Sequence, residues 1–387
     1  FDDVTSLVGM AIRLRQITSG RSGVSAGLAA SLAAAVEARA VPELHRCGSI
    51  GTGDLVPLAE LALTLVGERA WRSGTAPAAP VEDGDALPFM SSNALTLATS
   101  ALAMDELLRL AVATERVAAL SSAALRGSLQ AYDPRVHAGR PDAGQARVAA
   151  RLMALLDDGT RRASARVQDP FCLRTIPQVH APFEDALRRT RRAIWVEVED
   201  PTENPMVLDS GTALHHGGFV TAGLAAALDS LRQAAYPVVA LSSARLSALT
   251  DPALTGLPAF LASGPADSSG IMILEYVAQD ALAQARTMTT PVSTGHAVIS
   301  LGLEEHASFS SQAARWTEVV LDSAAVVVAC ELVAAVRALR ADPSRLPDTL
   351  VGVFEAAAAD LDDDRFDRPL GGDVAEAVRL VRQGLPA

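Results

Sequence analysis

Seven long segments rich in alanine, leucine and valine constrain this chain more than any other feature. They cover residues 24–40, 55–67, 93–125, 144–156, 219–248, 272–287 and 306–340, and they contain few Gly or Pro residues. Several carry apolar residues on more than one face, as helices buried in a multi-helix bundle do. Aromatic residues make up only 4% of the chain, so the core is expected to be aliphatic and alanine-dense, which permits close helix approach. Strand signals are scarce, and "IWVEVE" (194–199) is the best alternating stretch. Breaks fall at 71–93, 132–143, 157–182, 200–218, 249–271 and 288–305. These breaks hold most of the unusual polar residues, which is where function concentrates. With no internal repeat or low-complexity linker, the pattern predicts an all-α fold, a long-helix bundle forming one elongated body over 1–387.

Charge and residue usage narrow the chemistry. A net charge of −12 argues against nucleic acid or an anionic membrane as partner. All 33 basic residues are arginine. Without lysine there is no P-loop lysine and no Schiff base for pyridoxal phosphate. Such an alanine- and arginine-rich composition suggests a GC-rich bacterial genome. Cys47, Cys172 and Cys330 are far apart, which fits neither a disulfide framework nor a zinc site and points to a reducing cytoplasm. No metal is expected. The apolar run 319–336 carries Asp322 and Glu331 and reads as a buried helix rather than a membrane span.

The stretch "CGSIGTGDLVPLAELALTLVGE" (47–68) sets Gly48, Gly51, Gly53 and Asp54 at the mouth of an apolar helix. A dinucleotide fingerprint is excluded because the order is G-x-x-G-x-G and no strand precedes it. One reading is a glycine-rich N-terminus in which Asp54 caps the helix and Pro57 sits in its first turn.

The same stretch resembles the "GSVGASGDLAPLAHLAL" signature of the histidine and aromatic amino-acid ammonia-lyases and aminomutases. Further matches follow in the family's order: "SGRSGV" (19–24), "ALRGSLQAYDPRVHAGRPDAGQ" (124–145), "RVQDPFCLRTIPQVHA" (166–181), "ENPMVL" (203–208), "DPALTGLPAFLA" (251–262), "SSGIMILEY" (268–276) and "LEEHASF" (303–309). The resemblance implies a helical homotetramer whose active sites are built from several subunits and act on a small-molecule substrate. In the family an Ala-Ser-Gly triad cyclises into 4-methylidene-imidazol-5-one, and a tyrosine removes a β-proton. Since position 1 is Phe1, the family's N-terminal segment, with that tyrosine and a substrate-site histidine, would precede it.

Against that pattern this loop reads Gly51-Thr52-Gly53-Asp54, one residue shorter and without the serine. The expectation is therefore an enzyme with no prosthetic group. The alternatives are an imidazolone derived from residues 51–53, involving Thr52 and Gly53, or a residue missing from the written loop. The resemblance also implies polar-to-apolar changes around the substrate: a tyrosine becomes Phe171, an asparagine falls at Met90, a histidine becomes Val220 after Phe219, and a glutamine becomes Leu303. Retained are Gln168, Arg174 as a carboxylate grip, and Glu304 as an acid or base in an apolar site. The plainer readings are an interhelix salt bridge for Arg174 and a helix N-terminal carboxylate for Glu304. His137 and His306 read as structural, His215 and His216 as solvent-exposed, and Tyr276 as a core tyrosine. A non-catalytic scaffold of the same fold is the remaining alternative.

Overall fold

The computed structural model describes residues 1–80, 82–160, 166–199 and 203–385. Helices form at the seven aliphatic segments and also outside them, as at 3–17, 176–199, 351–358 and 371–382. They are α1 (Asp3–Ile17), α2 (Ala26–Glu37), α3 (Leu55–Leu65), α4 (Ala86–Met90), α5 (Ala94–Ala124), α6 (Pro134–Ala138), α7 (Ala143–Leu156), α8 (Phe171–Arg174), α9 (Ile176–Glu199), α10 (Ala222–Thr250), α11 (Pro252–Thr255), α12 (Ile273–Thr287), α13 (Ser310–Ala341), α14 (Val351–Ala358) and α15 (Gly371–Arg382). Among the described residues the strands amount to two short antiparallel ladders, Val41–Pro42 with Trp71–Ser73 and Met206–Val207 with Ala213–Leu214. The fold class is all-α.

"IWVEVE" is not a strand but the last turns of α9. Its alternation is local, whereas the whole segment buries His180, Phe183, Leu187, Thr190 and Ile194 at intervals of three and four, the helical period. Caps mark several starts. The Asp2 carboxylate accepts from Thr5 N, Ser25 Oγ from Leu28 N, and Asp142 Oδ1 from Gly144 N and Gln145 N.

The structure comprises two compact units. The first holds residues 1–104, 188–230 and 290–318; the second holds 105–187, 231–289 and 319–387. Within the first, Met10, Leu32, Leu58, Leu61, Phe89 and Leu95 are fully buried. A Cβ on Gly9 would lie 2.5 Å from Leu95 Cδ1, so α1 and the start of α5 approach closely. Within the second, Leu120, Val148, Leu152, Val327, Cys330, Leu332 and Leu339 lie in the core. Each such leucine contributes roughly 1.5–3 kcal/mol of burial. Helix α13 is long and apolar enough to cross a membrane by composition, but 83% of its most apolar window is buried inside the chain. It is a core helix.

Candidate active site

In the first unit, the loop 48–54 is held by hydroxyl side chains from two other segments. Ser308 Oγ donates to Gly51 O at 2.8 Å, Phe309 N to Ile50 O at 2.8 Å, and Gln312 Nε2 to Ser49 O at 3.0 Å. Ser49 Oγ and Ser311 Oγ lie 2.5 Å apart, and Thr96 Oγ1 is 3.1 Å from the same Ser311 oxygen. Gly51 has φ +82°, and a Cβ there would meet Ser308 Oγ at 2.1 Å and Ser310 N and Oγ at 2.7 Å. Only glycine satisfies both the backbone and the space. Gly53, at φ +122°, has open surroundings by comparison, with Met90 O 3.7 Å from its would-be Cβ.

Asp54 precedes α3 but makes no side-chain cap to it. Its carboxylate instead accepts from Thr96 N at 2.8 Å and Thr96 Oγ1 at 2.7 Å, in the first turn of α5. The capping carboxylate thus serves the wrong helix for a reading based on adjacency. Burial pushes the Asp54 carboxyl above the usual carboxylate range, while the Thr96 hydrogen bonds pull the other way. Because the folded-state value is raised, the stabilising contribution is fully present below the unfolded value of 3.8 and is lost as pH rises through the folded one. Asp54→Asn cannot titrate. Its urea-unfolding free energy is expected to fall less steeply than the wild type's as pH rises above 3.8. Parallel curves for the two proteins would show that Asp54 titrates as it does in the unfolded chain.

The segment 90–93 and the wall 219–221 adjoin this loop. Asp54 N donates to Ser92 O at 2.6 Å, Asn93 Nδ2 to Phe219 O at 2.8 Å, and Thr221 Oγ1 pairs with Ser310 Oγ at 2.7 Å. The first unit therefore gathers Thr52, Gly53, Met90, Phe219 and Val220, five of the residues named from the sequence. Thr52, Met90, Phe219 and Val220 are each half-buried. Asn93, 2% exposed and with its Oδ1 lacking a partner, belongs with them although no sequence signal singled it out.

Leu303 and Glu304 lie elsewhere in the unit, on a turn closed by Ile299 N donating to Glu304 O. Glu304 Oε1 accepts from Ser300 Oγ at 2.6 Å. Leu303 is 85% exposed, whereas Glu304 is half-buried, and it is not at a helix N-terminus. His306 and His215 are exposed. His216, read as exposed, is half-buried with both ring nitrogens engaged: one lies 2.9 Å from Glu203 O and the other accepts from Gly218 N.

The second unit holds Gln168, Phe171 and Arg174. Gln168 is exposed, but the next residue anchors the motif: Asp169 accepts from Ser128 N at 2.6 Å and from Arg166 Nε and Nη2. Phe171 is 66% exposed, and the Arg174 guanidinium carbon lies 4.6 Å from its ring centroid. Arg174 Nε is buried without an acceptor, and among the described residues no carboxylate pairs with this side chain, so the salt-bridge reading is not met. His137 is buried with Nε2 3.0 Å from Ala131 O, a structural role. Tyr276 is not a core tyrosine but largely exposed. Phe171 also borders a cleft of about 700 Å³ in this unit, together with Cys172, Thr250, Phe260 and Glu275.

The comparisons with known proteins agree with this architecture. The family profile described as "Aromatic amino acid lyase" matches residues 2–359. Histidine ammonia-lyase of Geobacillus kaustophilus (strain HTA426) is 34% identical over 348 residues, 85% of this chain and 69% of that protein. The crystal structure of histidine ammonia-lyase from Trypanosoma cruzi matches with a TM-score of 0.90 and 25% identity, over 99% of this chain and 77% of that one. Pantoea agglomerans phenylalanine aminomutase has the same fold, with a TM-score of 0.92 and 22% identity over 99% and 82% of the two chains. The chain belongs to the aromatic amino acid lyase family and is a lyase-type enzyme.

Proposed function

We propose that this protein is a divergent member of the family that works without the imidazolone, on an apolar carboxylate of the kind made in biosynthesis, by elimination, isomerisation or ring closure. The observation that carries the carboxylate is Arg174, a guanidinium stacked on Phe171 whose Nε is buried and unpaired. A carboxylate would supply the missing acceptor through a charge-assisted hydrogen bond. In the second unit Phe171 suits an apolar substrate body and Gln168 is a polar contact beside it; in the first, Met90, Val220 and Leu303 are the residues suited to an apolar ligand and Glu304 is the proton carrier. Positioning then supplies much of the rate acceleration.

The loop supports the absence of the prosthetic group. No serine stands between Gly51 and Asp54, so the loop lacks the residue whose dehydration completes the family's group. The exposure of Leu303 and Phe171 supports assembly with further copies, the homotetramer implied by the family, and the cysteine usage supports a reducing, cytoplasmic setting. A second reading, an amino-acid ammonia-lyase or aminomutase whose loop does cyclise, is favoured by the 34% identity to a histidine ammonia-lyase.

Intact mass separates the two, with a digest covering Cys47 to Glu68. An unmodified Gly51-Thr52-Gly53 is the expected result. A deficit of two waters would restore the amino-acid lyase. Arg174→Ala is then expected to weaken binding of 3-phenylpropanoate about a hundredfold, measured by calorimetry. Unchanged affinity would remove Arg174 from the site.

A further inference from the structure

Helix α8 is a single turn: Phe171 O accepts Thr175 N at 3.0 Å, and its carbonyls draw further donors from side chains. Three successive carbonyls receive them. Thr175 Oγ1 donates to Phe171 O at 2.6 Å, Arg245 Nη1 to Cys172 O at 3.2 Å, and Tyr132 Oη to Leu173 O at 2.8 Å. The last two donors come from distant parts of the chain. Tyr132 closes the short turn Leu129–Tyr132 and is 2% exposed. Burial pushes its phenol well above the ordinary value, so it remains a donor.

Arg245, near the C-terminal end of α10, is itself fixed from behind. Its Nε and Nη2 donate to the two carboxylate oxygens of Glu331 in α13, at 2.6 and 3.0 Å, and Ser121 Oγ of α5 donates to the same carboxylate at 2.6 Å. With two of its nitrogens committed, the guanidinium can turn its third, Nη1, only toward Cys172 O. The planar fork makes this a directional device that lysine could not reproduce.

We propose that Tyr132 and Arg245 are positioning residues for Arg174, holding the turn that presents it so that its guanidinium is preorganised over Phe171. This rests on Arg174 being the carboxylate anchor. Neither residue touches the substrate. They act by denying the one-turn helix the freedom to fray, and a guanidinium displaced by an ångström loses the geometry of a paired hydrogen bond. Tyr132 and Arg245 escape a reading for catalytic residues because both look like ordinary core side chains.

Tyr132→Phe keeps the ring and deletes one hydrogen bond. Hydrogen exchange read by mass spectrometry in the full-length chain is expected to show peptides across 170–175 exchanging about tenfold faster, with peptides from 1–104 unchanged. Calorimetry is expected to show affinity for 3-phenylpropanoate reduced about tenfold, while affinity for the neutral 3-phenylpropanamide stays as in the wild type. Unchanged exchange at 170–175, or equal losses for acid and amide, would overturn the proposal. If the wild-type chain does not bind 3-phenylpropanoate, the Arg174 reading fails, and the exchange result still decides whether Tyr132 holds the turn.

Discussion

Gly51→Ala is expected to destabilise the chain by about 3 kcal/mol, the combined cost of a left-handed backbone on a residue with a Cβ and of overpacking. Both parts are visible. Gly51 sits at φ +82°, and its would-be Cβ lies 2.1 Å from Ser308 Oγ and 2.7 Å from Ser310 N. The serine hydroxyl can rotate away, but the Ser310 backbone opens α13 and cannot yield cheaply. Gly53→Ala separates the two costs, since Gly53 has φ +122° but its nearest would-be neighbour is Leu55 Cδ2 at 3.5 Å. It should lose only the backbone part, about 1–2 kcal/mol. Urea unfolding of the two variants checks both numbers. A Gly51→Ala protein no less stable than Gly53→Ala would mean that the loop does not pack on 308–310 as described.

The helical skeleton was legible because aliphatic periodicity over a dozen or more residues has few competing explanations. The segment 93–125 became α5 at Ala94–Ala124, and 272–287 became α12 at Ile273–Thr287. Local patterns misled where a longer one governed. "IWVEVE" alternates over six residues, yet belongs to a helix whose buried positions begin far upstream at Ile176. The same segment opens with Pro177 and carries Pro182, so its first turns read as loop. Pro177 is tolerated because the first N–H groups of a helix have no helical partner, whereas Pro182, seven residues in, forgoes one helical hydrogen bond.

Much of the site was legible as residue identity and little of it as wiring. Gly51, Thr52 and Gly53 stood out, but the serines 308, 310 and 311 that hold the loop did not, because isolated serines carry no spacing signal. Asp54 was recognisable as a cap and assigned to the adjacent α3, whereas it bonds Thr96 of α5, a partner that only the tertiary structure supplies. The "QDP" block drew attention to Gln168, which is exposed, while Asp169 is the member tied to Arg166 and Ser128. Arg174 was identifiable, but its lack of an acid partner among the described residues was not: the 45 acidic residues of the chain offer many partners in principle, and only the fold sorts them.

Glu331→Ala should cost about 3–5 kcal/mol, because it strands a buried guanidinium with no counter-charge. Arg245 and Glu331 both have fully buried side chains, so water cannot replace the lost carboxylate. Against a total stability of roughly 5–15 kcal/mol this is a large fraction. The double variant Arg245→Met, Glu331→Leu removes both charges together and is expected to recover most of the loss, to within about 2 kcal/mol of the wild type. Chemical denaturation of Arg245→Met, Glu331→Leu and the double gives the coupling directly. Equal, additive losses would mean the pair is not the closed unit its geometry describes. The double variant also carries the sharper consequence. It restores the core but leaves Cys172 O without its donor, so a stable protein with a loosened 170–175 turn is the expected state. If that variant were both stable and unchanged in exchange at 170–175, the buried pair would serve the core alone, and Tyr132 would hold the Arg174 turn without it.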